Sequence, residues 1–164
     1  MIEEANVFDQ IGGLPVHALV VHAAVVFVPL LAVGSVIYAM VIPWRPRVGW
    51  AVTILAVLTP VTTLVAKESG EQLLDRLRER GLSGRGLEIL TDHEGYGSMT
   101  FWFSLALGLV TLLMVAVARA RRTKTMPRVV EIVLAVAAVA LAVVSGYYVY
   151  RTGDSGATAV WGTY

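Results

Sequence analysis

The chain has 164 residues, 57% of them apolar and only 15% charged, with no cysteine and a formal net charge of +1. A soluble domain is ~45–50% apolar and ~25% charged, so this composition excludes an ordinary water-soluble fold and points to a membrane. Without thiols there is no disulfide, no thiolate zinc site, no Cys-held iron–sulfur cluster and no covalent c-type haem attachment.

Four apolar runs are long enough to cross a bilayer, which takes ~20 residues each. They span about 14–42, 48–66, 99–118 and 129–150. None alternates polar with apolar residues, which argues against membrane strands. Pro29 and Pro60 fall inside runs one and two and read as kinks, because neighbouring helices can re-satisfy the freed carbonyl. The expected fold is all-α: a four-helix transmembrane bundle forming a single membrane domain over 1–164. The 67–98 loop between spans two and three holds a short amphipathic helix, Glu71–Arg80, with Leu73, Leu74 and Leu77 on one face. It lies on the membrane surface, caps the bundle, or is a plain solvated connector. Gly81, Gly84 and Gly86 end it, and no internal repeat is evident.

Charge is divided unevenly between the two sides. The short connections at 43–47 and 119–128, with Glu131 beside them, carry seven bases and one acid. The other side carries six bases and eleven acids. Short basic loops stay cytoplasmic, so both termini and the 67–98 loop are expected outside. The opening Met-Ile-Glu-Glu lacks the basic region of a cleaved signal, so span one is expected to be retained.

On this topology all three histidines and most carboxylates gather at the extracytoplasmic end. His22 lies ~12 Å along helix one, at a depth where an ionisable side chain is costly and marks function by default. His17 is shallower and reads as an interfacial ring. The two are five residues apart, ~140° around the helix, so both cannot ligate one ion without a bend. Imidazole with carboxylate suits zinc, copper or iron. The expected metal ligands are His22, His93, Glu68 and Asp154, with His17, Glu71 and Glu94 as alternates and Arg151 orienting a carboxylate. A b-type haem on His22 and His93 is the competing cofactor, since helix bundles build such sites from facing side chains. For Thr59 and Thr63 the simpler reading is a bond to their own i−4 carbonyls. For Tyr147, Tyr148 and Tyr150 it is an interfacial belt. A simple Arg151–Asp154 pair is the alternative for those two.

There is no GxxxxGK(S/T) loop, no GxGxxG after a strand and no GxSxG elbow, and the sequence leaves enzymatic activity open. The short basic loops need only anionic lipid, so nucleic acid is not a partner. The functional expectation is metal handling or electron transfer. Its rival is a structural or assembly subunit, in a homo-oligomer or larger membrane complex, whose histidines only tie helices together.

Gly13-Leu14-Pro15-Val16-His17 through Val21-His22 resembles the opening GxPxHxxxVH signature of a bacterial membrane-protein family, domain of unknown function 2231. Arg151-Thr152-Gly153-Asp154-Ser155-Gly156-Ala157 is similar to its closing RxGxxGA segment, and Asp92-His93-Glu94 to its central histidine region. The resemblance implies a four-span bacterial inner-membrane protein and assigns no activity, substrate or catalytic residue. It also implies histidine at the position that Asp154 takes here, an exchange of nitrogen for oxygen donor that suits a metal ion.

Overall fold

The structure, a computed structural model, describes residues 10–11, 14–121 and 127–162. Two short strands, β1 (Gln10–Ile11) and β2 (Leu14–Pro15), pair antiparallel ahead of α1 (Val16–Met40). A single 3-10 turn, Ile42–Trp44, leads into α2 (Arg45–Glu79), followed by α3 (Gly84–Ala120) and α4 (Arg128–Trp161). Each of the four helices contains a stretch long and apolar enough to cross a membrane.

Helices α2, α3 and α4 have 35, 37 and 34 residues. At 1.5 Å per residue each is ~50 Å long, well beyond the ~30 Å of hydrocarbon it has to cross. The excess is all at one end. The expected loop at 67–98 is a helical hairpin: Glu71–Glu79 continues α2 without a break, and α3 begins at Gly84 rather than near Met99. Glu71–Arg80 is therefore not a separate surface helix. Its apolar face has a packing role instead, with Leu74 buried and Leu73 and Leu77 half-buried.

The hairpin turn has a clear local cause. The Leu82 N–H bonds the Leu77 carbonyl and the Gly81 N–H bonds the Arg78 carbonyl, the pairing that closes a helix on a left-handed residue. Gly81 sits there at φ +93, and Gly84 opens α3 at φ +65, conformations that cost a glycine little. Arg78 then clasps the two arms, its Nη2 lying 3.7 Å from Glu94.

The helices form a square in chain order. Each packs on the next and α4 closes against α1, while α1 and α3 touch sparingly across the diagonal. Between the apolar cores of the spans run small hydroxyls. Ser35 bonds Thr111 at 2.7 Å, Thr63 bonds Ser104 at 3.0 Å and Thr100 bonds Thr152 at 3.0 Å. Thr63 also bonds the Thr59 carbonyl of its own helix, as expected. Without a hydrophobic drive between helices in lipid, close approach and interhelical hydrogen bonds hold a bundle together. The tightest approach is at Gly108, where an added Cβ would sit 2.6 Å from the Ala56 carbonyl oxygen, one turn before Pro60. The outward faces carry large apolar side chains, among them Val33, Ile54, Leu113 and Val136. Such a surface is suited to lipid.

Candidate functional site

Because α2, α3 and α4 outrun the apolar spans, polar residues near the ends of three helices meet the start of α1. His17, in the first turn of α1, directs Nδ1 at the Ala66 carbonyl of α2, 2.9 Å away. Ser69 Oγ, one turn on, lies 3.4 Å from the same nitrogen. His93, in the hydrophilic part of α3, directs Nδ1 at the Thr152 carbonyl of α4, 3.0 Å away, with Ser155 Oγ at 3.1 Å. A carbonyl only accepts, so both Nδ1 atoms carry the proton in neutral rings, and Nε2 is the lone-pair nitrogen of each.

The two seats have the same construction. In each, a ring is held by a carbonyl and by the serine three residues later, and lies over the glycine that follows the serine. A Cβ at Gly70 would be 2.9 Å from His17 Cε1, and one at Gly156 would be 2.9 Å from His93 Cε1. Ser69-Gly70 on α2 and Ser155-Gly156 on α4 are thus equivalent, although the chain shows no longer repeat. The two rings meet edge to face, their centres 6.1 Å apart and their planes at 89°. Burial, and then the neighbouring His17 ring, hold the His93 imidazole below the ordinary histidine value, against the opposing Thr152 carbonyl.

Beside His93 stands a second polar pair. Arg151 Nη2 donates to the Tyr96 hydroxyl at 2.6 Å, and the guanidinium lies 4.7 Å from the centre of the Tyr96 ring. Arg151 Nε is buried and has no hydrogen-bond partner among the described residues.

The other expected ligands go elsewhere. His22 is exposed on α1 and donates Nδ1–H to the Ala18 carbonyl of its own helix at 2.6 Å. The ~140° between His17 and His22 means that turning one inward turns the other out. Glu68 and Glu71 both bind Lys67, at 3.1 and 2.7 Å, and Glu71 chiefly holds the lysine above its ordinary value. Glu94 faces Arg78. Asp154 is exposed, and Arg151 is joined to Tyr96 rather than to it. Among the described residues no three His, Asp or Glu side chains gather as a metal site. The His22, His93, Glu68 and Asp154 set is therefore not assembled. What is assembled is the pair His17 and His93. Both rings sit on a Ser-Gly dipeptide, but Ser83-Gly84 and Ser145-Gly146 carry no such ring, so the dipeptide by itself does not mark the pair.

No curated protein and no solved structure is significantly similar to this chain. The model of one family, described as predicted membrane protein, matches residues 13–163, nearly the whole length. This chain therefore belongs to the predicted membrane protein family DUF2231.

Proposed function

We propose that the protein is a membrane electron carrier in which the imidazoles of His17 and His93 would hold a b-type haem, the group that would supply its one-electron chemistry. The observation that carries the reading is the paired imidazoles, each with Nδ1 tied to a backbone carbonyl, the outer-shell bond that orients a metal-ligating histidine. A metal–imidazole bond of ~2.1 Å, with ~1.1 Å from nitrogen to ring centre, lets two ligands of one ion hold their ring centres up to ~6.4 Å apart. The observed 6.1 Å lies within that limit, and holding one ion would require the rings to leave their edge-to-face contact and turn both Nε2 atoms toward it. Ligand count separates haem from a bare ion. Zinc takes three or four protein ligands, and among the described residues only two donors converge here; a haem would need fewer from the protein, its macrocycle supplying the rest. Arg151, whose buried Nε has no partner among the described residues, is a cation suited to the carboxylate side chains of such a group. The chain supplies the two oriented imidazoles and the packed helices around them.

The charge division supports the site's facing out of the cytoplasm of a bacterium, with the basic loops inside. A second reading rests on the same hydrogen bonds: His17 joins α1 to α2 and His93 joins α3 to α4, as clasps in a structural or assembly subunit.

Protein purified in detergent from cells supplied with a haem precursor separates these readings by its absorption spectrum and metal content. A Soret band is expected, lost in His17→Ala and in His93→Ala and kept in His22→Ala. Stoichiometric zinc, copper or iron without a Soret band replaces haem with a bare ion. Neither band nor metal leaves the clasp reading and overturns the proposal.

A further inference from the structure

The opposite end of the bundle holds a feature that the histidine site does not use. A cavity of about 550 Å³ opens between the ends of α1 and α3 and the starts of α2 and α4, lined among others by Tyr38, Arg45, Trp50, Arg119, Arg121 and Glu131. Arg45 is fixed in it. Its Nε donates to the Tyr38 carbonyl at 2.9 Å and its Nη2 to the Ala39 carbonyl at 3.3 Å, and its guanidinium lies 5.4 Å from the centre of the Tyr38 ring. These carbonyls belong to the last turn of α1, where no helical partner remains for them. Glu131 stands between two cations, 3.6 Å from Arg45 Nη1 and 3.0 Å from Arg121 Nη1.

Three guanidiniums around one carboxylate leave the cavity with an excess of two positive charges. Glu131 draws Arg45 and Arg121 toward each other, where free arginines would splay apart. Arg119 is exposed and makes no ion pair among the described residues. A guanidinium has five donors, and Arg45 spends two of them in hydrogen bonds to the α1 carbonyls, so donors remain for an incoming anion beside the Glu131 ion pair. The lining also has an apolar portion, including Ile42 and Val115, and Ile42 and Trp50 are exposed at 62% and 67%. A small inorganic anion would use only the guanidiniums. An anion joined to hydrocarbon uses both halves, and basic pockets between transmembrane helices suit lipid headgroups of this kind.

We infer that this cavity binds the phosphate headgroup of an anionic phospholipid, with the acyl chains running out over Ile42 and Trp50. The full-length protein in detergent is titrated with short-chain phosphatidylglycerol, short-chain phosphatidylcholine and sodium phosphate, followed by tryptophan fluorescence and by melting temperature. Phosphatidylglycerol is expected to bind saturably and to raise the melting temperature, and phosphatidylcholine to bind at least tenfold more weakly. Arg119→Ala, on an exposed side chain, is expected to weaken phosphatidylglycerol about fivefold, the effect of one basic residue near a membrane surface, and Arg119→Lys to restore most of it. Equal response to the two lipids, or no change in Arg119→Ala, overturns the site. A response to sodium phosphate equal to that of phosphatidylglycerol overturns the lipid as its ligand.

Discussion

Exchanging Gly156 for alanine tests the His93 seat most directly, because a second glycine on the same helix provides an internal control. Gly153 and Gly156 are both inside α4, and alanine is better than glycine in a helix by ~1 kcal/mol. A Cβ at Gly153 meets nothing within 4 Å, so Gly153→Ala should stabilise by up to about 1 kcal/mol. At Gly156 the Cβ would lie 2.9 Å from His93 Cε1 and 3.2 Å from Nδ1, against the ~3.5–4.0 Å at which carbon atoms pack comfortably. The ring must retreat by roughly 0.6–1 Å to reach that separation. Its Nδ1 bonds to the Thr152 carbonyl and Ser155 are already 3.0 and 3.1 Å long, so a retreat of that size breaks them. Retreating thus loses two hydrogen bonds at about 1 kcal/mol net each, while staying in place costs roughly 1–3 kcal/mol of overpacking, so either response costs about 2 kcal/mol. Set against the helix gain, Gly156→Ala should destabilise by about 1 kcal/mol, leaving the two variants about 2 kcal/mol apart. Thermal melts of detergent-purified protein, compared pairwise, measure that difference. If Gly156→Ala stabilises as much as Gly153→Ala does, the ring does not rest on this glycine and the seat described for His93 is wrong.

Three further outcomes follow from the same geometry. His93 is held below its ordinary value of 6.5, chiefly by burial, so the folded chain binds this proton less readily than the unfolded one. The stability of cofactor-free protein should therefore be complete above that value and fall as the pH drops from it toward the lower folded value; a pH series of melts in which His93→Gln is just as acid-sensitive refutes the assignment. Gly108→Ala would place a Cβ 2.6 Å from the Ala56 carbonyl oxygen and 3.2 Å from Pro60 Cγ. The backbone cannot rotate away as a side chain can, so a loss of about 2 kcal/mol in a detergent melt is expected, and an unchanged melt refutes the close α2–α3 approach. A cysteine introduced at Arg121 in intact cells should resist an impermeant thiol reagent, and one at Glu79 should react; the reverse pattern inverts the orientation inferred from the basic loops.

The spans were legible because each is a long apolar run, and Pro29 and Pro60 do lie inside helices, as kinks would. What composition hid was where the helices stop. Lys67–Glu79 and Gly84–Ser98 are hydrophilic and so read as a loop holding one short separate helix at 71–80, yet they continue α2 and begin α3. A hydropathy change marks the edge of the hydrocarbon and not the end of backbone hydrogen bonding, which continues wherever a helix can pack on its neighbour. Since Gly84 opens α3 and Gly86 lies within it, only Gly81 of the three glycines that read as breakers stops α2. Its effect is to reverse the chain between two packed arms rather than to close off a small surface helix.

The same hidden extension explains why His17 and not His22 reaches the site. Depth along α1 made His22 the expensive residue, and that argument assumes that the bundle ends where the hydrocarbon does. With α2, α3 and α4 continuing past it, the first turn of α1 has protein on its inner side, and a ring there can be half-buried and doubly hydrogen-bonded. Direction around the helix then decides. The inner face of α1 carries Val16, Ala24, Val28 and Leu31, all buried, and His17 stands next to Val16 on the turn that faces Ser69 and Gly70. His22 lies roughly 140° away from His17 and spends its Nδ1–H on its own helix. An intramembrane histidine signals function through the partners it finds as well as through the cost of its depth. Here the partners are two Ser-Gly steps on α2 and α4, which give His17 and His93 the same tautomer and the same support.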